Sequence, residues 1–181
     1  MSAEFGRKGG AGVIVLGIDP GYAIVGWGVL RTRAGRYVPL ASGAITTPAG
    51  APFGLRLQQI YDELNAVLER WKPQAAAIEK LYFTNNKTTG IGVAEARGVI
   101  LLACQQAVCP VYEYTPMQVK QAVTGYGNAK KPQVMEMTRR LLCLKEVPRP
   151  DDTADALAMA ITHGQASASA MRRQTLEQFR Q

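Results

Sequence analysis

The chain has 181 residues, 47% of them hydrophobic, which suits one domain with a buried core and excludes both a disordered tail and a disulfide scaffold. Lys and Arg number 21 against 14 Asp and Glu, a net charge of +7, so a polyanionic partner is favoured, nucleic acid being the commonest; a merely basic soluble protein has the same composition. Cys104, Cys109 and Cys143 lack C-x-x-C spacing and the lone His163 cannot complete a zinc set, so the thiols read as free, core-packed groups in a reducing cytoplasm, with no signal peptide in residues 1–12 and no apolar stretch near the roughly 20 residues that span a bilayer.

Residues 1–12 are Gly-rich and polar and read as a disordered extension. Val13–Asp19 is a continuous apolar run, the pattern of a strand buried on both faces. Asp19-Pro20-Gly21 then signals a turn. Ile24–Arg31 and Tyr37–Ile45 read as two further strands, linked around Arg33-Ala34-Gly35-Arg36 into an antiparallel meander. From Phe53 to Trp71 the period changes. Leu57, Ile60, Tyr61, Leu64, Val67, Leu68 and Trp71 mark one face of an amphipathic helix, and Pro73 ends it. Residues 75–79, AAAIE, form a short buried strand that stops at an acid, as the first strand does. A second helix is expected over 88–107, a fifth strand over Val111–Tyr114, and a third helix from Thr115-Pro116, with Thr as N-cap and Pro at the first helical position. Pro132–Leu144 is a fourth helix and Asp152 to about His163 a nearly all-apolar fifth, leaving 166–181 as a flexible tail. The order β-β-β-α-β-α-β-α-α-α implies one α/β domain over 13–165, a mixed five-stranded sheet with helices on both faces.

The acids carry the chemistry. Asp19 closes the first strand and Glu79 the fourth, and groups beyond the carboxyl ends of neighbouring parallel strands share one crevice. Asp152 and Asp155 are three apart in the first turn of the last helix, on one helical face, with Asp151 as an additional acid beside them. Clustered carboxylates repel, and neither Asp19 nor Asp152 has a basic neighbour in the chain, so a divalent cation is the simplest neutraliser. Oxygen-only ligands suit Mg²⁺ or Mn²⁺ rather than zinc, and two such ions serve phosphodiester hydrolysis. Taken singly, each acid has a plainer reading, as a turn residue or a partner of the helix dipole.

Basic and aromatic residues cluster as well. Lys120, Lys130, Lys131, Arg139 and Arg140 could line a phosphate track, or form solvated helix surface. Tyr82 and Phe83, in the polar segment EKLYFTNNK, could stack on a base, or one could anchor the loop. Asn85, Asn86 and Lys87 could donate to phosphates or form a turn. Gly90, Ala94 and Gly98, four apart on the second helix, suit close approach of another backbone, either the sheet or a second copy of the chain.

Four segments, GIDPGYAIVGWGVL, AIEKLYFTNNKTTGIGVAEARGVIL, TPMQVKQAVTGYGNAKKPQV and DDTADALAMAITH, together resemble the RuvC family of bacterial Holliday-junction resolvases, in the right order over residues 13 to about 164. The resemblance implies a ribonuclease H-like fold of the integrase superfamily, a homodimer, and a Mg²⁺-dependent endonuclease of DNA recombination and repair. Such an enzyme nicks a four-way junction symmetrically in two strands of like polarity and works with the RuvA–RuvB branch-migration complex. It further implies two metal ions per site, with Mn²⁺ as a substitute, and a bacterial, nucleoid-associated location. On the family's pattern Asp19, Glu79, Asp152 and Asp155 take the four acidic places as catalytic, metal-holding residues. Lys120 and Lys131 take its basic DNA contacts, and Tyr82 and Phe83 its stacking site near the crossover.

Two other functions fit parts of the pattern. An actin- or sugar-kinase-type phosphotransferase also opens with a strand and G-I-D-x-G, but 181 residues leave no second lobe and no glycine-rich phosphate loop is present. A non-catalytic, structure-specific DNA-binding module explains the charge but not four acids that would repel phosphate.

Overall fold

The computed structural model describes residues 12–33, 35–80 and 87–178, with side chains placed for all of these except 87–89 and 171–178. Its elements run β1 (Val13–Asp19), β2 (Ile24–Arg33), β3 (Arg36–Thr46), α1 (Phe53–Trp71), β4 (Ala75–Glu79), α2 (Lys87–Gln106), β5 (Val111–Tyr114), α3 (Pro116–Thr124), α4 (Lys131–Leu141) and α5 (Asp151–Gln178). The order is the one expected.

The five strands form one sheet in the order β3-β2-β1-β4-β5. β1 pairs antiparallel with β2, and β2 with β3, whereas β1–β4 and β4–β5 are parallel. β1 is therefore central, with the meander on one side and the parallel strands on the other. Side chains alternate between the faces of a strand, and each face meets its own core. Leu16 and Ile18 of β1 and Ala76 and Ile78 of β4 pack with Ile60, Leu64 and Leu68 of α1 and Ala96, Ile100 and Cys104 of α2. Val15 and Ala77 face the other way, against Val119, Val134, Leu157 and Ile161 of α3, α4 and α5.

From Thr153 to Gly164 helix α5 is buried at every position except Asp155. It lies across β1 and β2, and glycines on those strands let it do so. A Cβ on Gly17 would come within 1.9 Å of the Ala156 carbonyl oxygen, and one on Gly26 within 1.9 Å of the Asp152 carbonyl oxygen. The strands have no side chain where the helix backbone passes.

Several expectations are corrected. The last helix continues past His163 to Gln178, so residues 166–178 extend it where the sequence ended it near His163. The run GQASASA contains no proline and is rich in alanine, and Ser167 Oγ donates to the His163 carbonyl at 2.9 Å. Cys104 and Cys109 are buried as expected, but Cys143 is exposed; all three are free. Burial pushes the Cys104 thiol up to about 12 and the Cys109 thiol to about 11, so neither ionises near neutrality. The small residues of α2 do not meet the sheet at Gly98, which is exposed with open space around it; the helix packs through Ala96, Ile100, Ala103 and Cys104. No helix among the described residues is long and apolar enough to cross a membrane.

Candidate active site

Strand parity and pairing place the first two acids. Ile18 of β1 and Ile78 of β4 are register partners, so the next residues, Asp19 and Glu79, leave neighbouring parallel strands side by side. Both lie on the parity of Val15 and Ala77, the face covered by α3, α4 and α5. On the other side of β1, Asp19 pairs with Gly26, over whose bare Cα runs the Asp152 carbonyl. The first turn of α5 is thereby laid beside the end of β1.

The acids feel one another. Burial, then Asp155, Glu79 and Asp152 in that order, push the Asp19 carboxyl up from 3.8 to about 7, with Lys131 opposing. Glu79 is raised by burial and by Asp155, and Asp155 by burial against the pull of Lys131. All four acids singled out from the sequence are thus drawn into one cluster. Among the described residues, no three acidic, histidine or cysteine side chains already stand at ligand spacing. The donor chemistry still fits a hard divalent cation: carboxylate oxygens only, with more negative charge than the protein compensates.

Part of that compensation is internal, and it adds a protein cation to the divalent ion expected as the simplest neutraliser. Lys131, the first residue of α4, points its Nζ at Asp155 Oδ2 (2.9 Å) and lies 3.8 Å from Asp151 Oδ2. Nothing local in sequence revealed this, because α4 and α5 meet only through tertiary packing. Asp151 is held by Arg149 Nη1 at 2.7 Å, and so is occupied at the rim. Glu79, Asp155, Lys120 and Lys131 line a cleft of about 180 Å³ floored by Val119, Val134 and Met159.

Thr115 caps α3 as expected, accepting from Gln118 N at 3.1 Å while Gln118 Oε1 accepts from Thr115 N at 2.8 Å. That rigid start sets Lys120 on the cleft. Lys130 is exposed at the entry to α4. Arg139 and Arg140 both bind Glu136, at 2.8 and 2.7 Å, which supports their reading as helix surface. Tyr82, Phe83, Asn85 and Asn86 lie outside the described residues, as does the side chain of Lys87.

Two arginines missed in the sequence support the acids from behind. Arg56 is buried, with Nε donating to Thr47 Oγ1 (2.8 Å) and Nη2 to the Tyr22 carbonyl (3.1 Å); Thr47 Oγ1 donates to the same carbonyl at 2.6 Å. Its guanidinium also stands 4.8 Å from the Tyr22 ring centre. The turn that follows Asp19 is thereby tied to α1 and to the end of β3. Its signal was in the spacing, since Arg56 precedes Ile60, Leu64 and Leu68 at intervals of four on the buried face. Arg97 of α2 donates from Nε to the Glu79 carbonyl at 3.5 Å and pairs with Glu113. Arg56→Met is expected to cost about 2 kcal/mol, because charged donors are removed from a buried carbonyl and hydroxyl. Urea unfolding checks this, and a wild-type midpoint would show the tether to be idle.

A family model described as "Crossover junction endodeoxyribonuclease RuvC" matches residues 15–163. The chain belongs to the RuvC family. RuvC of Brevibacillus brevis is 57% identical over 151 residues, covering 83% of this chain and 91% of that protein. RuvC of Desulfitobacterium hafniense is 51% identical over 151 residues, covering 83% and 92%. The structure of Thermus thermophilus RuvC in complex with Holliday junction substrate superposes with a TM-score of 0.83 at 39% identity, covering 87% of this chain and 96% of that one. Yeast mitochondrial Holliday junction resolvase Ydc2, at 14% identity and a TM-score of 0.64, shares the fold. The ribonuclease H-like fold and the crossover junction endodeoxyribonuclease class expected from the motifs therefore hold for this RuvC-family chain. The family's named activity is nuclease activity, which leaves the phosphotransferase and the non-catalytic module without support.

Proposed function

We propose that this chain resolves four-way DNA junctions by hydrolysing one phosphodiester bond in each of two like-polarity strands, acting as a homodimer. The supporting observation is the meeting of Asp19, Glu79 and the first turn of α5 on one face of the sheet, at a cleft edged by Lys120 and Lys131. Four carboxylates on their own repel a phosphate, so the arrangement makes sense for a cation-loaded site. In this reading Asp19, Glu79, Asp152 and Asp155 hold Mg²⁺, one ion or two, with Mn²⁺ as a substitute. When bound, the metal supplies Lewis-acid stabilisation of the phosphate and an acidified water.

The chain's own residues do the rest. Lys120 and Lys130 attract and seat the phosphodiester backbone. Val119, Val134 and Met159 give the cleft an apolar lining. Tyr82, Phe83, Asn86 and Lys87 are assigned to the DNA near the crossover, and two-fold pairing of chains matches the symmetry of a junction cut twice. The small-residue stripe of α2, with Gly98 exposed, is the proposed approach surface of the second copy. The RuvA–RuvB motor is the proposed partner, and the nucleoid of the bacterial cytoplasm the proposed place of work.

The test is incubation with labelled four-way junction, linear duplex and ATP, with and without Mg²⁺. Paired nicks on the junction alone, dependent on metal, are expected; cleavage of duplex at the same rate, or junction binding with no cleavage in Mg²⁺ or Mn²⁺, overturns the reading. Lys120→Ala should weaken junction binding and lower the slope of log affinity against log salt by about 1, as loss of one phosphate contact does. The deficit is then largest at low salt. An unchanged slope in a salt titration would remove Lys120 from the phosphate track.

A further inference from the structure

Lys131 occupies a place that local forces do not favour. It is the first residue of α4, where the helix dipole repels a cation, and Lys130 beside it adds like charge. What holds its ammonium comes from another helix, Asp155 at 2.9 Å and Asp151 at 3.8 Å on α5. Beyond these, Asp19 acts on it across the cluster, and Lys131 in turn acts on Asp19 and Glu79. Its side chain remains 54% exposed, and that of Asp155 28% exposed. A pair this wet is weak, and the lysine's flexible stem lets its head leave without disturbing the backbone.

We propose that Lys131 is an exchangeable counterion of the acidic cluster: a divalent cation entering among the carboxylates displaces the ammonium from Asp155, and the freed lysine then turns to substrate phosphate. The proposal rests on the reading that these acids take metal. A single positive charge tethered at the rim cannot neutralise four carboxylates, whereas a divalent ion compensates twice as much, so exchange runs toward the metal. The displaced ammonium has the cleft wall beside Lys120 within its reach, so metal loading and phosphate contact are coupled through one side chain. Without metal Lys131 is occupied by Asp155 and contributes little to DNA; with metal it contributes fully.

The experiment compares full-length wild type, Lys131→Gln and Lys130→Gln. Lys130→Gln removes the same charge one residue away but breaks no ion pair with the acids. Calorimetric titration with MgCl₂ alone should show Lys131→Gln binding about fivefold more tightly than wild type, the loss of a competing half-exposed pair, with Lys130→Gln changed by less than about twofold. Junction affinity should then be nearly equal for wild type and Lys131→Gln in EDTA, and about fivefold weaker for the variant in Ca²⁺. Equal tightening in the two variants, unchanged or weaker Mg²⁺ binding by Lys131→Gln, or a junction deficit of the same size in EDTA as in Ca²⁺ overturns the exchange. Failure of wild type to bind Mg²⁺ at all overturns the metal-site reading along with it, whereas binding indifferent to Lys131 overturns the exchange alone.

Discussion

Asp19→Asn is expected to reduce junction nicking to background while leaving junction binding intact or tighter, and to make the protein more stable above pH 7. The first effect follows from removing a ligand at the centre of the cluster, the second from reduced repulsion of phosphate. The third follows from the carboxyl's position. In the unfolded chain it releases its proton near 3.8, whereas in the folded protein burial and the three other acids hold that proton up to about 7. Between these values the folded state binds more protons, so this group's contribution to stability falls as pH rises from about 4 to 7 and is flat beyond. A carboxyl that holds its proton tenfold more tightly when folded loses about 1.4 kcal/mol on ionising, so the penalty above pH 7 is on the order of 4 kcal/mol. Asparagine has no such penalty but still desolvates an amide, so a net gain of about 1–3 kcal/mol is expected at pH 8 and none near pH 4. Urea unfolding of both proteins at the two pH values, without metal, measures it. Identical stability at pH 8 would mean that Asp19 is neither desolvated by burial nor pressed by the other acids. By the same sign, metal binding to wild type tightens as pH rises toward and through 7, because the proton must leave first.

The second large effect concerns residues without side chains. Gly17→Ala and Gly26→Ala each place a methyl group within 1.9 Å of an α5 backbone oxygen, that of Ala156 and that of Asp152. Backbone cannot swing aside as a long side chain can, so the whole first half of α5 must lift from β1 and β2. Overpacking of this kind costs about 3 kcal/mol or more. It also moves Asp152 and Asp155 away from Asp19 and Glu79, and a displacement of about 1 Å at reacting groups costs roughly 100-fold in rate. Gly50→Ala is the matched control, since a Cβ there meets nothing within 4 Å. Thermal melts and nicking rates check both effects. A Gly26→Ala protein with wild-type activity would show that α5 need not lie as close as it does.

The arginines show why part of the site escaped the sequence reading. Arg56 sits at a core interval of α1, but that it ties down the Tyr22 carbonyl is visible only once β1, β2 and α1 are packed. Arg97 reads as one more basic residue on α2 until β4 brings the Glu79 carbonyl to it. Lys131 was legible as a basic residue near DNA, but its ion pair with Asp155 joins positions 24 apart in the chain. The continuation of α5 beyond His163 was missed because polarity loosens the hydrophobic pattern without breaking the helix.

The chain's local order determined the elements and the acids at their ends, because alternation along a strand and spacing along a helix follow from covalent geometry alone. It also determined that Asp19 and Glu79 close apolar strands and that Asp152 and Asp155 share a helical face. Only the tertiary structure decided that β1 lies between β2 and β4, that α5 presses on glycines, and that a lysine from α4 enters the cluster. Those outcomes depend on pairings between residues far apart in the chain. Packing selects such pairings through the shape and burial of whole surfaces, which no single stretch of sequence contains.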